Sequence, residues 1–199
     1  ESHAFYNCQS LARISLPDSD DEVDSSAFSN CLNLKKARLS KKMSSISSRM
    51  FSNCTKLKTV ENAGSIEEIG WSAFKNCINL QTFPFSNQLE EIGSTAFQNC
   101  ISLGTVVITK GTSDISYSAF QGAASKFIVD SSNPNYSSKN GLLLDEDGKY
   151  LIQAPANANG SLIVPKGVVT IASHALANTA FSHISLPEGV TSIGMFNFV

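Results

Sequence analysis

Five cysteines are the first residues whose chemistry has to be decided: Cys8, Cys31, Cys54, Cys77 and Cys100. Thiolates hold zinc or form disulfides, and each use demands a particular spacing. A zinc site needs several ligands converging at about 2.3 Å on one ion, usually from pairs such as Cys-x-x-Cys. A disulfide needs Cβ atoms about 3.8 Å apart with a set torsion. Every interval here is 23 residues, no second ligand motif accompanies them, and the count is odd. Equivalent side chains in stacked units run parallel, about one unit apart. That arrangement favours a ladder of small buried thiols over metal ligands or disulfides.

The other reactive types are scattered. His3, His174 and His183 share no spacing, and catalysis would need a nucleophile or carboxylate within hydrogen-bond reach of one of them. No Gly-x-Ser-x-Gly, His-Glu-x-x-His or phosphate-cradling glycine loop is present. Asp145-Glu146-Asp147-Gly148 begins like a calcium loop but has no distal bidentate glutamate, so it is read as a hairpin turn. Asp18, Asp20, Asp21, Glu22 and Asp24 form an acidic run, read as a solvated loop with ion or partner contact as the alternative. Asn53, Asn135 and Asn159 each open an Asn-x-Ser/Thr glycan-acceptor pattern, though the asparagines are expected to satisfy turn backbone groups instead. The expectation is a chain without catalytic residues, cofactor or metal, and not an enzyme.

What remains is a basic set, Arg13, Lys35, Lys36, Arg38 and Lys58, whose meaning depends on the elements that carry it. Those elements are announced by a period. Phe5, Phe28, Phe51, Phe74, Phe97 and Phe120 recur every 23 residues, as do the cysteines, the asparagine before each and the leucine three places after. One unit reads Ala-Phe-x-Asn-Cys-x-x-Leu-x-x-Ile-x-Leu-Pro, then a variable stretch, then Ile-Gly. The end of Leu-x-x-Ile-x-Leu alternates with period two, which predicts one short strand per unit. The Ala-Phe-x-Asn-Cys part is read as a compact turn or a short helical return. Units stacked about 4.8 Å apart share one continuous core that no unit could bury alone. The phenylalanines are read as that core.

Residues between the inward Leu, Ile and Leu positions then point away from the core. Stacking brings positions 23 apart into neighbouring rows, so the five basic side chains should form one patch, with Lys41 and Lys42 just beyond it. Later units offer Gln81, Thr82, Thr105 and Val107, a neutral continuation. The patch is read either as a solvated charged face or as a ligand site for an acidic protein partner or an anionic glycan. Nucleic acid is disfavoured, because stacking aromatics are absent among these outward positions.

Composition agrees with a folded array. Hydrophobic residues make up 42% and charged residues 16%, with net charge −2. The chain therefore has core material and no global pull towards polyanions. No apolar run approaches the ~20 residues of a membrane helix, so this segment is not expected to insert in a membrane. Glu1 falls inside a repeat and the chain stops in mid-repeat, so it is read as a fragment or as having an unusual cap. Three parts of one continuous domain are expected: regular repeats over 1–129, a loop and β-hairpin insertion over 130–160, and resumed repeats over 161–199. Asp147-Gly148 between Leu142-Leu143-Leu144 and Tyr150-Leu151-Ile152 supplies the hairpin signal. Pro155 to Gly160 reads as a further loop.

Ala-Phe-x-Asn-Cys-x-x-Leu, Ile-x-Leu-Pro and Val-x-x-Ile-Gly resemble the BspA-like class of leucine-rich repeat, named after a bacterial surface antigen. Asn133-Pro134-Asn135-Tyr136 and Asn140-Gly141-Leu142-Leu143-Leu144-Asp145 resemble a recurrent element of the same class. The resemblance implies an α/β repeat solenoid. It would be a right-handed leucine-rich-repeat β-solenoid with short strands, turn or short helical returns, and one hairpin insertion. It also implies a non-enzymatic bacterial module, secreted or at the cell surface and adhesin-like towards host or microbial proteins. A spacer presenting another domain, or the glycan-targeting module of a larger enzyme, are the competing readings. Ala37 and Asn62 depart from the repeat pattern, which predicts local looseness there.

Overall fold

The computed structural model describes residues 2–19, 23–156 and 159–198. Asp20, Asp21 and Glu22 of the acidic run lie outside them, as does the side chain of Asn159. The chain winds as a β-solenoid whose 23-residue coils carry two rows of short strands, not the single row expected. The first set is Arg13–Ser15, Lys36–Arg38 and Thr59–Glu61, paired in parallel with Arg13, Lys36 and Thr59 in register. A bridge from Thr59 to Thr82 continues it, and Thr105–Ile108 pairs with Lys126–Val129 farther along. The second set is Ser45–Ile46, Glu68–Ile69, Glu91–Ile92 and Asp114–Ile115, again parallel and in register. These are the Ile-Gly ends of the unit, and a two-residue strand is too short to show alternation.

The returns are turns; among the described residues there is no helix. Each turn holds two left-handed positions. One row is His3, Ser26, Arg49, Ser72, Thr95 and Ser118, and the other is Asn7, Asn30, Asn53, Asn76 and Asn99, with φ between 54° and 63°. Asparagine tolerates this conformation better than most residues, which explains its recurrence. Two left-handed residues per turn preclude a helix, so turn amides pair with the next coil instead: Phe28 N to Met50 O at 3.0 Å, Phe51 N to Ala73 O and Phe74 N to Ala96 O at 2.8 Å. The asparagine side chains do not serve backbone groups as expected. They bond one another along the stack, with Nδ2 of Asn53, Asn76 and Asn99 donating to Oδ1 of Asn30, Asn53 and Asn76 at 2.8, 2.8 and 2.9 Å.

Inside, the phenylalanines form a buried column. Phe28, Phe51, Phe74, Phe97 and Phe120 stack nearly parallel with successive centroids 5.5, 5.5, 5.2 and 5.4 Å apart. The thiols are free, and Cys31, Cys54, Cys77 and Cys100 are buried beside the column. Each donates to a phenylalanine carbonyl of the preceding coil at 3.0–3.1 Å, Cys77 to Phe51 O for example. The thiol ladder is thus core, and the sulfurs are aimed at carbonyls. Ala37 is fully buried, and Asn62 takes a left-handed φ of 63° while its amide donates to Leu39 O at 3.1 Å. Ala37 is thus closed to solvent, and Asn62 is bonded to the neighbouring coil.

The Ile-Gly signature has a steric cause. A Cβ on Gly93 would sit 2.8 Å from Trp71 N and 2.9 Å from Gly70 C, both backbone atoms of the coil before. At Gly104 the nearest atom would be Gln81 O at 3.5 Å, an ordinary contact. Gly93→Ala is therefore expected to destabilise by about 1–3 kcal/mol through overpacking. Gly104→Ala should be neutral or slightly stabilising, since it restrains the unfolded chain. Thermal unfolding of the two variants checks this, and equal midpoints would refute the close-approach explanation.

After Val129 the winding gives way to an antiparallel meander of Tyr136–Lys139, Leu142–Asp145 and Tyr150–Gln153. The hairpin across Asp147-Gly148 forms, with Asp145 Oδ1 accepting from Lys149 N at 2.7 Å and Tyr150 N at 2.9 Å. The first strand, Tyr136–Lys139, adds a third strand to the loop and hairpin expected over 130–160. Asn140 and Gly141, at φ 55° and 80°, make a second tight turn, and serines line the strand because its side chains are only partly covered. The Tyr136 hydroxyl accepts from Ile115 N at 2.8 Å, capping the edge of the second sheet. Tyr150–Gln153 then pairs in parallel with Thr170–Ile171, which pairs with Ser192–Ile193, and coiling resumes. Strand Asn159–Ile163, paired with Ala180–Ser185, begins within the expected Pro155–Gly160 loop. A second buried cluster around Leu144, Leu151, Leu162 and Ile171 is the core of this part.

Candidate functional site

The rows of the first sheet decide where the basic residues stand. Leu34, Ala37 and Leu39 face inward and are fully buried. Lys36 and Arg38 alternate outward on the strand, and Lys35 precedes it, exposed. The amide of Lys58 donates to Lys35 O at 3.0 Å and that of Lys35 to Ala12 O at 2.8 Å, so these two lysines occupy one row. Arg13 and Lys36 are register partners in the next row. The five side chains therefore share one face over three coils.

Two of the five have partners that alternation alone does not show. Lys36 Nζ lies 2.7 Å from Glu61 Oε1, and Arg38 lies 3.5 Å from Asp18 Oδ2. Glu61 reaches Lys36 because register sets it beside Arg38, one coil over. Asp18 accepts from Lys41 N at 3.0 Å, and that amide above all, with the Arg38 charge, holds its carboxyl below the usual range against an opposing desolvation effect. Both pairs are about half exposed, so each contributes little to stability. Among the described residues Arg13, Lys35 and Lys58 form no ion pair. Farther along, Thr105 and Val107 give the neutral continuation, but Lys126 pairs with Thr105 and restores a positive charge.

The second sheet carries the opposite sign. Glu68, Glu91 and Asp114 are exposed register partners, and Glu67 and Glu90 precede two of them. Glu-Glu-Ile-Gly occurs at 67–70 and again at 90–93, a repeated acidic signal in the sequence itself. A near-neutral chain is thus polarised, with cations on one sheet and carboxylates on the other. Among the described residues no group of three or more His, Cys, Asp or Glu is arranged to hold a metal ion.

The histidines make ring and amide contacts. His174 stacks on Phe196 at 5.0 Å, meets Tyr117 edge-on at 5.5 Å, and has Nδ1 3.0 Å from Gln121 Nε2. His3 meets Tyr6 edge-on at 5.3 Å, and His183 Nδ1 lies 3.1 Å from Ser182 Oγ. The Asn53 amide is engaged in the side-chain ladder on both sides. The arrangement offers surfaces for binding.

A repeat model described as the BspA type leucine-rich repeat region matches residues 1–126 and 156–199 in six copies. The chain belongs to that family. Its BspA-type repeats point to a protein-interaction module. No curated protein matches the sequence. Among solved structures, a leucine-rich repeat protein from Eubacterium ventriosum is 23% identical with a TM-score of 0.75, over 94% of this chain and 50% of that one. A leucine rich cell surface protein from Faecalibacterium prausnitzii is 22% identical with a TM-score of 0.68, over 97% and 59% respectively. The pneumococcal vaccine antigen PcpA is 21% identical with a TM-score of 0.60, over 94% and 48%. The chain thus spans roughly half the length of these structures, and what it shares with them is the fold. Among the described residues no helix is long and apolar enough to cross a membrane.

Proposed function

We propose that this array is an adhesin-like interaction module of a secreted or surface-exposed bacterial protein, and that its basic strand face binds an acidic segment of a protein partner. The observation that carries the reading is the set Arg13, Lys35 and Lys58, aligned on one sheet face, without ion pairs among the described residues, and flanked by Lys36 and Arg38. Cations held in register on a fixed scaffold meet an acidic segment without prior reorganisation, which favours complementarity and fast encounter. The repeat family supports an interaction role, and the neighbour described as a cell surface protein supports the location. In this reading residues 1–129 and 161–199 are two repeat blocks and residues 130–160 an insertion between them.

The test is the fluorescence anisotropy of a labelled poly-glutamate peptide titrated with the protein at low and high salt. The variant Lys35→Glu, Lys36→Glu, Arg38→Glu and Lys58→Glu should lose about tenfold or more in affinity and most of the salt dependence. Circular dichroism should stay unchanged, because none of the four side chains is buried. Equal affinity of variant and wild type at both salt concentrations would remove this face from consideration.

A further inference from the structure

On the turn side of the first four coils, away from the strand face, runs a groove of about 510 Å3. Its shape follows from side-chain size. The middle coils place Ser26, Ser29 and Ser52 on its floor, all buried, where the first coil carries the rings of His3 and Tyr6. Tyr6 and His3 stand at one end. At the other stand Trp71, Lys75 and Arg49, with the Arg49 guanidinium carbon 4.0 Å from the Trp71 ring centroid. The ends are three coils apart, roughly 14 Å at strand spacing. Tyr6 and Trp71 remain 49% and 44% exposed, large rings left beside a polar floor.

Three features narrow the ligand. Among the described residues the ionisable side chains lining the groove are His3, Arg49, Lys75 and the Tyr6 phenol, with no carboxylate, so a negative charge is welcome. The asparagine ladder along the groove uses one Nδ2 hydrogen each of Asn53 and Asn76, leaving the other hydrogen of both amides for a ligand. The backbone amides of this turn are already spent between coils, Arg49 N on Trp71 O at 2.8 Å and Asn53 N on Lys75 O at 2.7 Å. No open strand edge is therefore offered for an extended peptide to join. The floor also has serine and amide groups where a peptide's apolar anchors would need pockets.

We propose that this groove binds a linear acidic oligosaccharide, sugar rings lying against Tyr6 and Trp71, hydroxyls on the serine and asparagine floor, and carboxylates at Arg49 and Lys75. Aromatic faces flanked by hydrogen-bonding groups suit a ring with apolar C–H edges and polar rims. Charge-assisted bonds from a guanidinium and an ammonium select the acidic sugar over a neutral one.

Trp71 is the chain's single tryptophan, so its emission reports on the groove directly. Titration with tetragalacturonate should change that emission saturably, and cellotetraose should bind about tenfold more weakly or worse. The double variant Arg49→Gln and Lys75→Gln should lose the tetragalacturonate response by a similar factor, whereas the strand-face charge reversal should keep it. Four outcomes would overturn the proposal: no emission change with tetragalacturonate, an equal affinity for cellotetraose, an equal response to tetraglutamate, or undiminished binding by the double variant. Failure here leaves the strand-face reading standing, since the two surfaces are read by separate probes.

Discussion

Replacing Phe74 by alanine should cost about 3–5 kcal/mol, the range for deleting a buried aromatic ring. Phe74 is fully buried and lies between Phe51 and Phe97, with centroids 5.5 and 5.2 Å away. It also touches Phe83 edge-on at 5.3 Å, so the vacated space is walled by rings that cannot all close on it. In a solenoid each coil is stabilised by its two neighbours. A defect in the fourth coil therefore weakens two interfaces at once, and the unfolding transition should broaden as well as shift. Phe5 occupies the same row in the first coil but is 43% exposed and has one ring neighbour, Phe28 at 5.3 Å. Phe5→Ala should cost about 1–2 kcal/mol, scaled by its lower burial. Denaturant unfolding followed by circular dichroism measures both. Equal shifts for the two variants would mean that the stacked column is not what couples the coils.

The contrast between these phenylalanines also shows what could be read in advance. The period was visible because core rows tolerate few residue types, so Phe, Cys and Leu repeat wherever coils stack. The outward direction of Lys36 and Arg38 followed from strand alternation. Their pairing with Glu61 and Asp18 did not, since it depends on which atoms register brings within reach across coils. The second strand of each coil escaped notice because two residues carry no period, and Tyr136–Lys139 escaped because its serines look like loop. Asn140-Gly141 was the available sign of that extra turn. The groove was the least legible part. Trp71, Arg49 and Tyr6 sit at positions where the repeat varies, and only stacked turns bring them to one trough. The acidic ladder lay in plain view at 67–70 and 90–93, but it becomes a face only once Glu68 and Glu91 are known to be register partners.

The thiol ladder carries the largest expected response to conditions. Burial pushes the Cys54, Cys77 and Cys100 thiols well above their ordinary value of 9.0, and for Cys54 and Cys77 neighbouring cysteines in the ladder push the same way. Their hydrogen bonds to carbonyls need the thiol proton, so the neutral form is the one the fold accepts. A folded-state pKa raised above the unfolded one means that the folded chain holds its protons more tightly. Stability is then complete below about pH 9 and falls as pH rises towards the folded-state value. Above the unfolded value each such thiol costs about 1.36 kcal/mol per pH unit, so three together approach about 4 kcal/mol per unit. Set against the ~5–15 kcal/mol that holds most domains together, the array should unfold within about one to four units above pH 9. Cys77→Ala removes one titrating group and should reduce the slope of stability against pH by about 1.36 kcal/mol per unit, whatever it does to stability at neutral pH. Tyrosine and lysine titrations contribute equally to both chains and cancel in the difference. Urea unfolding at intervals from pH 7 to about pH 10.5 gives the two slopes. Parallel slopes would mean that Cys77 ionises as readily in the folded chain as in the unfolded one, and that the buried, carbonyl-bound thiol is the wrong description of the ladder.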